Sequence, residues 1–420
     1  MSIRDDSACV IQKRAASQRV HRCEVRRSRI RVQAACRSIV TAVGRRAWAM
    51  RLPVMVLLVG LESTRYLPIR FGTDDPEVLS PAFLARVEPG AMHCGVFSQD
   101  SRFFAVGGGT RIYLWKTPFH GTPTSVQGYP HGVFSLHFSA QYHTLLSVGG
   151  SFDPTLRFWR YPPLRATPRP LDTSNELDGF GAALSPDGKH LAVVHLLDGR
   201  CSIWDVGSRR LVARLATGAP FRLRPCFSPD GRLLAIGDGD GGIALWDVRR
   251  ALRLRQWQAH GKAINTLGFL PGGHTLVSTS DDATAKRWTV LDGTLRSTHH
   301  EHTCPVDGLS IALAGPYFVT CDFLGRSVVR RASDGGVVRT YWSPGAAGEL
   351  NPAGDLLAVG GRGQAIEIFT PATAVMRYRL RGSHSSQAYS FSPNGRWIAR
   401  WNDNGTVGIW RLPHTPRHRR

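Results

Sequence analysis

Residues 226–248, CFSPDGRLLAIGDGDGGIALWDV, constrain this chain more than any other stretch, because their pattern of alternating apolar residues broken by turn residues recurs along most of the sequence. Cys226 and Phe227 end one short strand, Ser228-Pro229-Asp230-Gly231 makes a tight turn, and residues 232–236 form a second strand. Residues 238–242 turn the chain again. Ile243, Leu245 and Trp246 close a third strand, and residues 252–257 read as a fourth. The unit is therefore four short strands in about 42 residues, carrying a Trp-Asp pair at the end of the third.

Equivalent anchors stand at Trp115, Trp159, Trp204, Trp246, Trp288, Arg330, Phe369 and Trp410, spaced 39 to 45 residues apart. With these anchors and the Trp246-Asp247 pair, the chain resembles the WD-repeat family, whose period is about 40–45 residues. The resemblance implies an all-β propeller of eight blades, with seven and a divergent extra segment as the alternative. It also implies how the ring closes. In that family the fourth strand of a blade precedes the next repeat, so residues 83–87, FLARV, are expected to be a fourth strand with no earlier blade of their own. The last repeat lacks its fourth strand, and pairing residues 83–87 with residues 406–410 removes two open sheet edges at once.

The organisation expected from this is an N-terminal extension over residues 1–65, a propeller over 66–412 and a basic tail over 413–420. Residues 1–49 hold eleven Arg and Lys13 against Asp5, Asp6 and Glu24, without strand periodicity, and read as a solvated, unstructured segment. The apolar run 52–61 is too short for a helix to span a bilayer of about 30 Å. The net charge is +22, yet only five of the 53 basic residues are Lys. Such a bias fits codon usage in a GC-rich genome and also leaves open nucleic-acid binding through an Arg-rich surface and the N-terminal arm. Eight cysteines without a CxxC pair fit buried thiols in a reducing compartment, and a cytoplasmic location is expected.

In the family resembled, a His before the first strand, a Ser or Thr in the second, an Asp in the following turn and the Trp anchor form a hydrogen-bonded tetrad. The fifth repeat supplies all four as His260, Ser278, Asp282 and Trp288. Asp153, Asp198 and Asp240 stand six residues before their tryptophans, but no matching hydroxyl is found in the second strands of those repeats. The repeats anchored by Arg330, Phe369 and Trp410 are expected to rely on apolar packing alone.

Other strings are weak signals. Gly237, Gly239 and Gly242 satisfy G-x-G-x-x-G, but a strand and not a helix follows them. His299, His300, Glu301 and His302 have zinc-ligand chemistry, yet His302 holds the repeat's own histidine place and the other two histidines end a strand on opposite faces. No catalytic, cofactor or metal site is expected. The expected function is a non-enzymatic scaffold for protein or peptide partners; the alternatives are nucleic-acid association and an enzyme with a site at the central mouth. Positions carried over from the family resemblance place partner contacts at Phe134, Phe152, Phe180, Leu197, Phe221 and Leu223 on blades two to four, with Asp281 and Asp307 reached by a partner's basic flank.

Overall fold

The computed structural model describes residues 77–87, 92–119, 121–129, 132–149, 155–162, 164–166, 181–194, 199–216, 224–342, 348–360, 365–381, 388–402 and 405–413. Among the described residues eight sheets follow one another along the chain, their main strands antiparallel, with innermost strands beginning at residues 92, 133, 181, 224, 264, 306, 349 and 388. The innermost strand of each sheet packs on the next, and that of the eighth blade, Ala388–Phe391, returns to Met92–Phe97 of the first. The ring is thus an eight-bladed propeller. Among the described residues no helix is long and apolar enough to cross a membrane. The basic segment 1–49, the apolar run 52–61 and residues 414–420 lie outside the described residues.

Local chemistry sets the turns. In blade four the Ser228 hydroxyl donates to Asp230 at 2.6 Å and accepts from Leu233 N at 2.9 Å, while Asp230 accepts from Arg232 N at 3.1 Å. Gly231 supplies the left-handed φ of +70° that this turn needs. The same bond of 2.6 Å joins Ser98 to Asp100 and Ser185 to Asp187, and Ser392 bonds Asn394 at 2.7 Å. One recurring hydrogen bond between side chains two residues apart therefore fixes the first hairpin of four blades. A second recurring device is a bulge where the anchor residue meets the fourth strand, at Trp204, Trp246, Trp288, Arg330 and Phe369.

Hydrophobic side chains are buried between blades rather than within them, since a single sheet has two faces to cover. Phe104 and Trp115 of blade one meet Trp401, Val407 and Ile409 of blade eight, and Gly95 leaves room for Trp401: a Cβ there would stand 2.8 Å from the indole. The junction between blades five and six has the smallest buried cluster, Leu270, Val277 and Phe318. Polar bridges reinforce it. Asn265 Nδ2 donates to Val306 O at 3.1 Å, Thr266 Oγ1 to Asp307 O at 3.0 Å, and Arg287 Nη2 to Ala332 O and Ser333 O at 2.8 and 2.9 Å.

The eighth blade takes its fourth strand from Phe83–Arg86, antiparallel to Thr406–Arg411, with Phe83 opposite Ile409 and Arg86 opposite Thr406. A strand absent from the sequence reading precedes it. Glu77–Leu79 runs parallel to Met376–Leu380 and gives blade seven a fifth strand. The segment before the first blade therefore covers the outer edges of both blades seven and eight.

Candidate partner-binding face and its buried polar anchors

In each blade the antiparallel second strand ends, and the third begins, on the face from which the first strand starts. In blade five that region is anchored by His260, which precedes the first strand Ile264–Phe269. Its Nε2 lies 2.7 Å from Ser278 Oγ on the second strand, and its Nδ1 lies 2.9 Å from Asp282 Oδ2 in the following turn. The Trp288 indole donates to Ser278 Oγ at 2.8 Å. Asp282 also accepts from Thr284 N and from the Thr284 hydroxyl, at 3.0 and 2.6 Å. Facing a carboxylate, Nδ1 carries the proton, Nε2 accepts from the serine hydroxyl, and the serine oxygen accepts from the indole. Burial lowers the His260 pKa, opposed by the Asp282 charge. The order Ser-His-Asp is that of a nucleophilic triad, but Ser278 is wholly buried and its oxygen accepts from the Trp288 indole.

Two other blades carry anchors that differ from the sequence reading. In blade two the second strand does supply a hydroxyl: Trp159 Nε1 donates to Ser147 Oγ at 2.7 Å, and the buried Tyr129 hydroxyl, 2.9 Å from Ser147 Oγ, does the work of a histidine. Ser147 precedes Trp159 by twelve residues, whereas Ser278 precedes Trp288 by ten, because the intervening loop is longer. Blade six does not rely on apolar packing alone. His302 reaches Thr320 Oγ1 at 2.9 Å and Asp322 Oδ2 at 3.0 Å, and Arg330 fills the anchor place with its guanidinium on Glu301 at 2.6 Å. Burial lowers the His302 pKa against the pull of Asp322. In blade four the turn is held by Asp238, whose Oδ1 accepts from Asp240 N at 3.0 Å and Gly242 N at 2.7 Å; Asp240 is exposed.

Gly237, Gly239 and Gly242 belong to a strand, turn and strand. His299 is buried beside Arg330, with its pKa pushed down to about 4 by burial and then by that positive charge, while Glu301 and His302 are held by Arg330, Thr320 and Asp322. Among the described residues no group of three or more His, Cys, Asp or Glu side chains is placed to hold a metal ion.

On the loop face Asp281 and Asp307 come together across the junction of blades five and six. Asn265 Nδ2 donates to Asp281 Oδ1 at 2.8 Å and to the carbonyl of Val306, next to Asp307. Packing between the loops takes water from the Asp307 carboxyl, which with the charges of Asp322 and Asp281 raises its pKa. The adjoining turn of blade six presents Phe323, 74% exposed, and the exposed Leu324. Phe134 is half-buried on the first strand of blade two. The remaining sequence-derived positions Phe152, Phe180, Leu197, Phe221 and Leu223 lie outside the described residues.

Comparison with known proteins accords with this architecture. The WD domain, G-beta repeat model matches residues 223–247 and 252–289, which are blade four up to its third strand and then the fourth strand of blade four with the first three of blade five. Protein groucho of Drosophila melanogaster is 25% identical over 235 residues, 55% of this chain and 26% of that protein. COMPASS component SWD3 of Saccharomyces cerevisiae is 30% identical over 157 residues, 35% of this chain and 49% of its own length. The U3 small nucleolar RNA-associated protein 15 homolog of Xenopus tropicalis is 35% identical over 95 residues, 22% of this chain and 18% of its own. The matches thus span less than half of each of these relatives. Among solved structures, the C-terminal WD40 domain of Sif2 superimposes with a TM-score of 0.65 at 14% identity, covering 81% of this chain and all of that one. With its eight-bladed ring and the WD domain, G-beta repeat match at residues 223–247 and 252–289, this chain is a β-propeller that carries WD repeats.

Proposed function

We propose that this protein is a non-enzymatic scaffold that holds a partner protein or peptide on its loop face, over the junction of blades five and six. The observation that carries the reading is the pairing there of an exposed aromatic, Phe323, with two neighbouring carboxylates, Asp281 and Asp307. An aromatic left in water on a rigid turn is a ready interface anchor, and flanking carboxylates select a basic residue in the partner. The His302–Thr320–Asp322 network of blade six holds this turn, since Asp322 Oδ1 accepts from Leu324 N at 3.1 Å and Arg326 N at 2.9 Å. The name of COMPASS component SWD3, a component of a larger assembly, supports the reading, whereas that of the U3 small nucleolar RNA-associated protein 15 homolog fits the nucleic-acid alternative. An apolar partner segment extends from this junction toward the loop positions of blades two to four, Phe152 and Phe221 among them. Among the described residues the five cysteines Cys94, Cys201, Cys226, Cys304 and Cys321 are free thiols, which supports a reducing, cytoplasmic setting.

The test is affinity capture from cell extract on the immobilised full chain, comparing it with a Phe323→Ser, Leu324→Ser variant by quantitative mass spectrometry. A protein recovered by the parent and lost by the variant, at unchanged melting temperature, is expected. Recovery of the same set by both proteins contradicts the reading.

A further inference from the structure

The opposite face carries a second feature that the loop-face reading leaves unused. Between blades four and five, at the outer rim, lies a cleft of about 650 Å3 whose walls include Leu245, Leu254, Val290 and Leu291. Leu291 is 84% exposed, and Leu252, Leu254 and Leu295 on the neighbouring outer strands are exposed as well. Leu252 and Leu254 lie on Leu252–Gln258, and the Leu291 carbonyl is bonded to Arg255 of that strand; among the described residues the strand is paired only with Gly242–Asp247, so its outer edge is open to another strand. Apolar side chains beside an unpaired strand edge make the arrangement that accepts an extended peptide, the backbone pairing with the edge and alternate side chains entering the cleft.

Charge decides which peptide. Arg255 lines the cleft and donates only its Nε–H to the protein, to Leu291 O at 3.0 Å, while His274 lines the opposite side. Arg249, Arg250, Arg253 and Arg296 are exposed on the same rim. The nearby carboxylates are all engaged in turns. Asp230 accepts from Ser228 Oγ, Asp247 from Arg250 N at 2.8 Å, and Asp292 from Thr294 N at 2.9 Å. The turn bonds and their arginine neighbours hold the Asp230 and Asp292 carboxyls below the ordinary range, so they stay as bound anions within their own turns. What remains available to a ligand is apolar surface framed by guanidinium groups.

The molecule holds one example of an outer edge so used. Glu77–Leu79, an acidic residue followed by two apolar ones, adds in parallel to the outer strand of blade seven, which bears Arg377 and Arg379. We infer that the cleft between blades four and five is a second docking site, for an extended partner segment in which leucine-like side chains alternate with or precede aspartate and glutamate. Its apolar residue sits against Leu254 and Leu291, and its carboxylates meet Arg255 and the rim arginines. A polyphosphate chain satisfies the arginines but has nothing to place against the leucines, so the observations favour the acidic peptide.

The experiment uses the full chain and an array of nonapeptides holding one or two Leu, Ile or Phe residues among Asp and Glu, beside matched arrays with Lys or with Ser replacing the acids. The best binder is then titrated by fluorescence polarisation. Selective binding to acidic, leucine-bearing peptides is expected, weakened at least tenfold by Leu291→Ser and by Arg255→Glu. The Phe323→Ser, Leu324→Ser variant, which tests the loop face, should leave this binding unchanged. Absence of preference for the acidic arrays overturns the inference, as does equal affinity in the Leu291→Ser protein at unchanged melting temperature. Binding of a uridine oligonucleotide that displaces the peptide and is indifferent to Leu291→Ser identifies a polyanion surface instead, and equally overturns it.

Discussion

Arg330 holds the Glu301 carboxylate at 2.6 Å from the position where six other blades place a tryptophan. Its side chain is wholly buried, and it also reaches His299 Nδ1 at 3.2 Å, tying the last strand of blade five to the third of blade six where the apolar cluster is smallest. Removing one partner of such a pair leaves the other charge and a cavity uncompensated. Arg330→Ala is expected to lower the unfolding free energy by about 3 kcal/mol in urea titration. Arg330→Trp combined with Glu301→Gln should recover part of that loss, because the indole gains Thr320 as acceptor.

Glu349 carries a different kind of charge. It lies at the junction of blades seven and eight, where its Oε1 accepts from Phe391 N at 3.1 Å and Ser390 Oγ at 3.3 Å, and burial pushes its pKa up to about 7. A carboxyl raised from 4.5 in the folded state opposes folding once the unfolded chain ionises, so its penalty grows between pH 4.5 and 7 and is constant above. Glu349→Gln keeps the acceptor and removes the charge. Thermal or urea denaturation should show the variant more stable by roughly 3 kcal/mol at pH 8 and equal to the parent below pH 4.5.

Asp282→Ala removes the acceptor of His260 Nδ1–H and is expected to cost about 1–3 kcal/mol. It also removes the charge that raises the His260 pKa against burial. The folded pKa then lies further below the unfolded value of about 6.5, so the variant should lose stability more steeply than the parent as pH falls below that value. Melting curves from pH 8 to pH 5 give both quantities; an identical pH dependence in the two proteins contradicts the assigned proton positions.

Ring closure by Phe83–Arg86 yields a graded truncation series. Removing residues 1–81 takes away, among the described residues, the parallel strand Glu77–Leu79 but not Phe83–Arg86, and should leave a cooperative transition a few degrees lower. Removal of residues 1–90 also opens the edge of Thr406–Arg411, and a large fall in melting temperature with aggregation is expected. Equal melting of the two truncations contradicts closure at this strand.

The repeat spacing, the Ser-Pro-Asp-Gly hairpins and the orphan strand at residues 83–87 were legible because each is a local pattern at fixed distance from an anchor. What the pattern hid has physical causes. A longer loop moved Ser147 out of the expected offset from Trp159, and Tyr129 resembles no histidine. Spacing points to Asp240, six residues before Trp246; only the turn's N–H directions choose Asp238. Arg330 in a tryptophan place reads as a defect until Glu301, 29 residues away, is brought to it. Glu77–Leu79 is too short to show alternation, and the cleft at Leu291 is made by two blades, which no single repeat displays.

Hydrogen–deuterium exchange of the ring, alone and saturated with the partner recovered by affinity capture, tests most directly whether this propeller is a scaffold that works through its loop face. Slowed exchange is expected at residues 281–284, 305–308 and 322–325, with the hairpin turns 98–101 and 392–395 on the opposite face unchanged. Protection confined to those hairpin turns, with none at residues 322–325, would contradict it.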